Sequence, residues 1–296
     1  MNSVQERELA IYTEIAKICD KHKLRYFAIG GTCIGAVRHK GFIPWDDDID
    51  IALPRKDYEL FRTIYYKELP IYYIKIDYDI SHQHPFLFTK IHDSRATFVE
   101  IYAKDSFERY TGPFVDIMPI DGLPDNQTER QKVIRKMRFL DFMNKKCRKV
   151  PLSIYQGSII GPIKCLIKKE LSLLIHNRYS DKVRELGERY DFDKSKYCIF
   201  TWRISFKELR LDRVVFTKRF FDKIVSVPFE NTTINIPHNY DDYLRQDFGE
   251  YMKLPPKEQR QKHDIYVSDM NTPCKVYAER DMEVYEKKYS FWRKLI

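Results

Sequence analysis

Hydrophobic positions near the start of the chain recur every three to four residues, which predicts a helix over residues 4–22. Its apolar face consists of Leu9, Tyr12, Ile15, Ala16 and Cys19. Ser3 and Glu6 have the spacing of a capping box, so Ser3 is the predicted N-cap.

Short apolar runs separated by turn residues predict strands at 24–29, 48–53, 71–78, 86–92, 96–102, 114–118, 196–201 and 225–236. A turn is predicted at 119–124, where two prolines and a glycine follow the strand over 114–118. Further helices are predicted at 32–38, capped by Thr32, and at 56–66, 127–147 and 237–248. Helices and strands mix without regular alternation, and this mixture predicts an α+β protein.

Proline and glycine residues over 150–162 interrupt the basic helix that precedes them. From Ile163 the pattern predicts an amphipathic helix with lysines off its apolar face. Packing on the core and docking on a membrane surface both explain such a helix. We divide the chain into residues 1–125, a catalytic core, and 126–296, a helical and mixed region on the acceptor side that packs against this core.

Composition narrows the class of protein. The 296 residues are 43% hydrophobic and 15% aromatic, which argues against disorder, and the net charge of +9 favours phosphates, nucleic acid or an anionic membrane as partners. Six scattered cysteines without a Cys-x-x-Cys pair predict neither a zinc site nor a disulfide framework, as in a reducing cytoplasm. The polar N-terminus and the lack of any uncharged window of about 18 residues predict no signal peptide and no membrane-spanning helix.

Three aspartates stand on alternate positions where the strand over 48–53 begins: Asp46, Asp48 and Asp50. Side chains two residues apart in a strand share a face, and like charges so close raise one another's pKa unless a cation lies between them. Carboxylate oxygens favour Mg²⁺ or Mn²⁺. An EF-hand loop is excluded, because Ile51 and Asp57 stand where that loop needs Gly and Glu. A solvated acidic patch remains an alternative.

Other polar residues supply what phosphoryl or nucleotidyl transfer requires. Gly30 and Gly31 precede a short helix whose first amides would face an anion. Asp116 lies in an apolar strand, where a carboxylate needs a charged partner or a metal. Arg38, His39 and Lys90 would neutralise a diphosphate. Together these residues predict metal-assisted transfer of a phosphoryl or nucleotidyl group.

The sequence resembles the LicD family of phosphotransferases, of the nucleotidyltransferase-fold superfamily and related to the fukutin group. The resemblance is carried by Gly30-Gly31-Thr32, by the run from Gly35 through Pro44-Trp45-Asp46 to Asp50, by Phe114–Gly122 and by Asp247–Pro256. It implies a nucleotidyltransferase-like mixed sheet flanked by helices, with a mainly helical C-terminal part.

The resemblance also implies roles for individual residues. Asp48, Asp50 and Asp116 would bind Mg²⁺ or Mn²⁺, with Asp46 assisting through a water or an outer contact and Asp116 alternatively serving as general base. The donor would be held by Gly30, Gly31, Thr32, Arg38, His39 and Lys90, while Trp45 would stack on a base or sugar or pack beneath the site.

The implied reaction moves a phospho-alcohol, such as phosphocholine from CDP-choline, to a hydroxyl of a cell-surface glycan precursor, either lipid-linked or free. A cytoplasmic enzyme in peripheral contact with the inner membrane face would suit this reaction. The alternatives are a nucleotidyltransferase acting on another acceptor such as nucleic acid, and a binding module with an inactive site. No nucleic-acid-binding motif is found, so we expect no nucleic acid.

Overall fold

A computed structural model describes residues 1–76, 87–101, 110–148, 179–205, 213–260 and 264–280. It confirms the α+β class. The helices are α1 (Ser3–Lys21), α2 (Gly30–His39), α3 (Arg55–Glu68), α4 (Gln127–Arg148) and α5 (Tyr240–Phe248), and residues 179–188 and 274–280 are also helical. The strands are β1 (Phe27–Ala28), β2 (Ile49–Pro54), β3 (Tyr73–Ile76), β4 (Thr89–Asp93), β5 (Thr97–Glu100), β6 (Phe114–Leu123), β7 (Tyr197–Phe200), β8 (Phe216–Thr217), β9 (Ile224–Phe229), β10 (Thr232–Pro237) and β11 (Ile265–Asp269).

The main sheet is mixed and has the order β1-β2-β6-β4-β3, with β7 also on β6 and β8 on β7. Strand β2 runs parallel to β6, whereas β4 and β7 run antiparallel to it. All ten residues of β6 are buried. Since β6 pairs with three strands, it is the spine of the sheet.

The register of this sheet places three charged residues in one row. Asp50 of β2 lies opposite Asp116 of β6, and Asp116 lies opposite Lys90 of β4. Residues directly opposite one another in paired strands project from the same face of a sheet. The two carboxyls and the ammonium group therefore lie side by side on one face.

The C-terminal half contributes strands as well as helices to this fold. Strands β9 and β10 form a hairpin, and β11 pairs with β5. Tyr243 of α5 contacts four phenylalanine rings between β7 and β9, namely Phe200, Phe216, Phe220 and Phe221. A second, smaller core lies between α4 and residues 179–188 and includes Ile134, Met137, Val183 and Leu186. The boundary at residues 125 and 126 stays a prediction.

The structure corrects three local predictions. Asn2, not Ser3, caps α1, and its capping-box partner is Gln5 rather than Glu6. Helix α2 begins two residues earlier than predicted, so Thr32 lies inside it. The strand over 114–118 continues to Leu123 instead of turning at 119–124, because β2 and β7 supply hydrogen-bonding partners along its further length.

The predicted amphipathic helix from Ile163 lies outside the described residues. Of the helices that are described, none combines the length and the apolar character needed to cross a bilayer. Cysteines 19, 33, 198 and 274, all within the described ranges, are unpaired buried thiols, as the sequence predicts for these four.

Away from the row of charges, a buried ion pair fastens α3 to the far end of β6. The Arg55 guanidinium donates from Nε and Nη2 to the two carboxylate oxygens of Asp121, at 2.6 and 2.8 Å. Thr201 donates to the same carboxylate. Asp121 is fully buried, so its charge depends on these donors.

We predict that Arg55→Met destabilises the protein by about 3–5 kcal/mol, because it leaves the buried Asp121 carboxylate without its counter-charge. The control is Lys56→Met at the next position, where the lysine is largely exposed and pairs with Asp191 on the surface. That change should cost no more than about 1 kcal/mol. Urea unfolding measures both values, and equal losses would contradict the prediction.

Candidate active site

The acidic loop before β2 lies against the start of α2, where two glycines leave room for it. A methyl group added at Gly31 would stand 2.5 Å from Oδ2 of Asp46, and one added at Gly30 would stand 3.4 Å from Oδ2 of Asp50. Gly30 also has φ of +56°, a backbone conformation that residues other than glycine disfavour. The glycine pair thus lets two carboxylates approach the helix N-terminus.

Two hydrogen bonds fix this junction from opposite sides. The Asp50 amide donates to Oγ1 of Thr32 at 2.8 Å, so the threonine hydroxyl positions the aspartate. The Gly30 amide donates to the buried hydroxyl of Tyr243 at 3.1 Å. The first amide of α2 is therefore engaged by α5.

Asp116 lies in a strongly charged setting at the centre of the row. Its Oδ1 is 3.1 Å from Nζ of Lys90, and Lys90 also donates to Glu100 at 3.3 Å. The same ammonium lies 3.3 Å from the centre of the Phe114 ring, a cation–π contact. Lys90 is thus buried as the counter-charge of two carboxylates.

Burial dominates the electrostatics of the site. It raises the pKa of Asp116 to about 7, against the opposing effect of Lys90. Burial, followed by repulsion from Asp48, Asp116 and Asp46, also raises the pKa of Asp50 well above its usual range. Carboxyls with pKa values raised by burial and like charges are typical of sites that bind cations or move protons.

The residues fit a divalent cation that is completed by other ligands. Carboxylate oxygens are the ligands that Mg²⁺ prefers, and the mutual repulsion of these carboxyls is the cost that a cation removes. Within the described ranges, no three acidic, histidine or cysteine side chains already surround one point as a finished metal cage. Mg²⁺ commonly takes only one or two carboxylates and obtains its remaining oxygens from phosphates and water.

The remaining predicted donor-binding residues lie at the C-terminal end of α2 and beyond. Arg38 donates from Nε to Nε2 of His39 and from Nη1 to the carbonyl of Tyr251, so it ties α2 to the segment after α5. Burial and the charge of Arg38 lower the pKa of His39, which therefore accepts as a neutral ring. The Arg260 guanidinium lies 4.4 Å from the centre of the Trp45 ring, which is half-buried.

Comparison with known proteins agrees with this geometry. Residues 23–161 match the family model described as the LicD/FKTN/FKRP nucleotidyltransferase domain. The chain is 29% identical over 249 residues to the lipopolysaccharide cholinephosphotransferase LicD of Haemophilus influenzae, covering 84% of this chain and 89% of that protein. An uncharacterised protein of Rickettsia typhi is 30% identical over 81 residues, which are 26% of this chain and 25% of that protein.

Residues 23–161 of the chain form a LicD family domain. The match supports a LicD-like phosphotransferase enzyme and includes the loop, both aspartate strands and Lys90.

Sequence reasoning missed three residues of this LicD site. Gln5 donates from Nε2 to the carbonyl of Asp46 at 2.8 Å, which holds the acidic loop on α1. Glu8 is buried beneath the same loop, and Tyr243 reaches Gly30 from α5. For Gln5 and Glu8 a signal existed, because both are polar residues at helical spacing on the face of α1 that carries Tyr12. No local pattern identifies Tyr243.

We predict that metal-free Asp116→Asn becomes more stable relative to wild type as the pH rises from about 4 to 7. The folded protein binds the Asp116 proton more tightly than the unfolded chain does, because burial raises its pKa from 3.8 to about 7. Wild type therefore loses the contribution of Asp116 to the free energy of unfolding over this range, whereas Asn stays neutral. Urea unfolding in EDTA at several pH values measures the difference.

The control for this series is Asp242→Asn, which removes an exposed carboxylate on α5. Its difference from wild type should stay nearly constant over the same pH range. A constant difference for Asp116→Asn would show that this carboxyl has an ordinary pKa.

Proposed function

We propose that this LicD-like phosphotransferase transfers a phospho-alcohol from a CDP-alcohol to a hydroxyl of a cell-surface glycan precursor. The observation that carries the proposal is the row formed by Asp50, Asp116 and Lys90 beside the N-terminus of α2. The printed name of the Haemophilus influenzae relative, a lipopolysaccharide cholinephosphotransferase, makes phosphocholine the first donor group to test.

Asp48 and Asp50, together with Asp116, are the residues that would hold Mg²⁺ or Mn²⁺, and Asp46 is near enough to assist through water. A bound divalent cation would supply charge neutralisation for the donor diphosphate. The glycines serve this arrangement by leaving space for the carboxylates of Asp46 and Asp50.

The N-terminus of α2 would receive the donor phosphates. The positive end of the helix dipole and the amides of Gly31 and Thr32 suit an anion. The Gly30 amide contributes to position instead, since it donates to Tyr243. Arg38 and His39 lie at the other end of the ten-residue helix, so their part would be to shape the site through Tyr251.

The chemical step would be a displacement at phosphorus. The acceptor hydroxyl oxygen forms a bond to the phosphorus that carries the alcohol, and the bond from that phosphorus to the CMP oxygen breaks. Where Asp116 stays outside the ligands of the cation, it is suited to take the hydroxyl proton, because a pKa of about 7 makes its carboxylate a competent base at neutral pH. Lys90 would stabilise the negative charge on the transferred group.

We infer a cytoplasmic enzyme that meets a lipid-linked or free glycan, in peripheral contact with the inner membrane face in the lipid-linked case. Trp45 and the overlying Arg260 border the acidic loop and are candidates for contact with a base or sugar ring.

The test is release of CMP from CDP-choline with Mg²⁺ and a glycan acceptor, with other CDP-alcohols in parallel. We expect Asp48→Asn and Asp50→Asn to lower kcat by at least about 100-fold, because loss of the cation removes several kcal/mol of transition-state stabilisation. EDTA should abolish release from wild type.

The matched control is Asp242→Asn, the same change of charge at an exposed position on α5, which should keep the activity of wild type. Metal-independent release, or full activity in both aspartate variants, would contradict the proposed use of the site. Release from another CDP-alcohol instead of CDP-choline would keep the reaction and change the donor.

A further inference from the structure

Glu8 of α1 is buried at the site without a partner. Its side chain is fully excluded from solvent, and neither carboxyl oxygen meets a hydrogen-bond partner in the part of the chain that the structure describes. A buried carboxyl in this condition is costly, and a native structure keeps it only where a function, a water or an ion accounts for it.

The neighbours of Glu8 indicate which of these applies. One turn before it on α1, Gln5 is bonded to the backbone of Asp46, which places this face of the helix directly against the acidic loop. Repulsion from Asp48, Asp47, Asp46 and Asp116 adds to burial in raising the pKa of Glu8. The Glu8 carboxyl therefore faces the same acidic group as the β2 and β6 aspartates.

Two basic side chains, one beside Glu8 in sequence and one in the charged row, already form ion pairs with other carboxylates. Arg7, beside Glu8 on α1, forms an ion pair with Asp93 at 2.9 Å. Lys90 lies between Asp116 and Glu100. A water molecule could donate to Glu8, but it would leave the repulsion among the carboxyls in place, whereas a cation would remove it.

We propose that Glu8 is an additional carboxylate of the divalent-cation site, contributed by α1. This inference rests on the proposed function, because the cation is the one that serves phosphoryl transfer. The inference gives α1 a part in the chemistry beyond packing. Gln5 would then hold the acidic loop against α1 through its hydrogen bond to the Asp46 carbonyl.

The alternative explanation is that Glu8 stays neutral and only fills space. Glu8→Gln separates the two roles, because glutamine keeps the size and a donor group but removes the charge. Glu6→Gln is the matched control, since Glu6 lies two residues earlier on the same helix, is exposed and is the same residue type.

The measurement is Mn²⁺ affinity of the full chain, followed by the electron paramagnetic resonance signal of unbound Mn²⁺, with and without CMP. We expect Glu8→Gln to weaken binding by about 10- to 100-fold, as for other residues that support a metal site, and Glu6→Gln to bind as wild type does. Thermal unfolding without metal verifies that both variants fold. If Glu8→Gln does not fold, Glu8→Met, with an apolar side chain of similar length, should show the same loss.

Two outcomes would overturn the inference, and they differ. Wild-type affinity in Glu8→Gln, with binding lost in Asp48→Asn, would leave the proposed function standing and remove Glu8 from the cation site. If wild type binds no Mn²⁺ under either condition, the metal-dependent function fails and the inference fails with it.

Discussion

The burial of several like-charged carboxyls at one place is the constraint to which the rest of the structure responds. Asp50 and Asp116 face each other across β2 and β6, and Glu8 adds a third buried carboxyl from α1. Burying such carboxylates away from water is unfavourable unless a positive charge lies beside them. Within the row that charge comes from Lys90, which the antiparallel register of β4 places beside Asp116. Because Gly30 and Gly31 have no side chains, the carboxylates of Asp50 and Asp46 can lie close to the N-terminus of α2, the positive end of its dipole.

The geometry of this site depends on both halves of the chain. The hydroxyl of Tyr243 accepts from Gly30, and the phenylalanine rings around Tyr243 hold it in place. The carbonyl of Tyr251 fixes the other end of α2 through Arg38. Residues in the N-terminal half therefore carry the charges, while residues in the C-terminal half set the position of α2. Loss of either anchor would move α2 relative to the aspartates on β2.

The sequence predicted the elements that carry strong local signals and missed the contacts that depend on tertiary structure. The α+β class, the helices α1, α3 and α4 and the aspartate strands followed from periodicity and turn residues, with ends shifted by a few positions. The end of β6 could not be read locally, because Pro119 and Gly122 are turn formers and the strand persists only through pairing with β2 and β7. The sequence predicted that Lys90 neutralises a diphosphate and that Asp116 binds a metal or acts as a base. It could not predict that the two are paired, because the register of β4 against β6 sets that contact.

His92 shows the same limit for a single side chain. His92 stands two residues after Lys90, and its position in the sequence does not say whether its ring is charged. In the structure its Nδ1 accepts from the Gly112 amide, and burial lowers its pKa to about 4. A histidine in this condition is neutral at physiological pH, so its place is structural, although alternation along β4 puts it on the same face as Lys90.

The long contacts of Lys90 have a consequence for the chemistry. Its distances to Glu100 and Asp116 are 3.1 to 3.3 Å, longer than the 2.7–2.9 Å or so of a strong charge-assisted hydrogen bond. Lys90 is thus held between its partners rather than committed to either. An anionic donor beside the row would draw the ammonium from Asp116, and Asp116 would then be available to the cation or to the acceptor proton. Under the proposed function, the same lysine would stabilise the carboxylate before the donor binds and the phosphate afterwards.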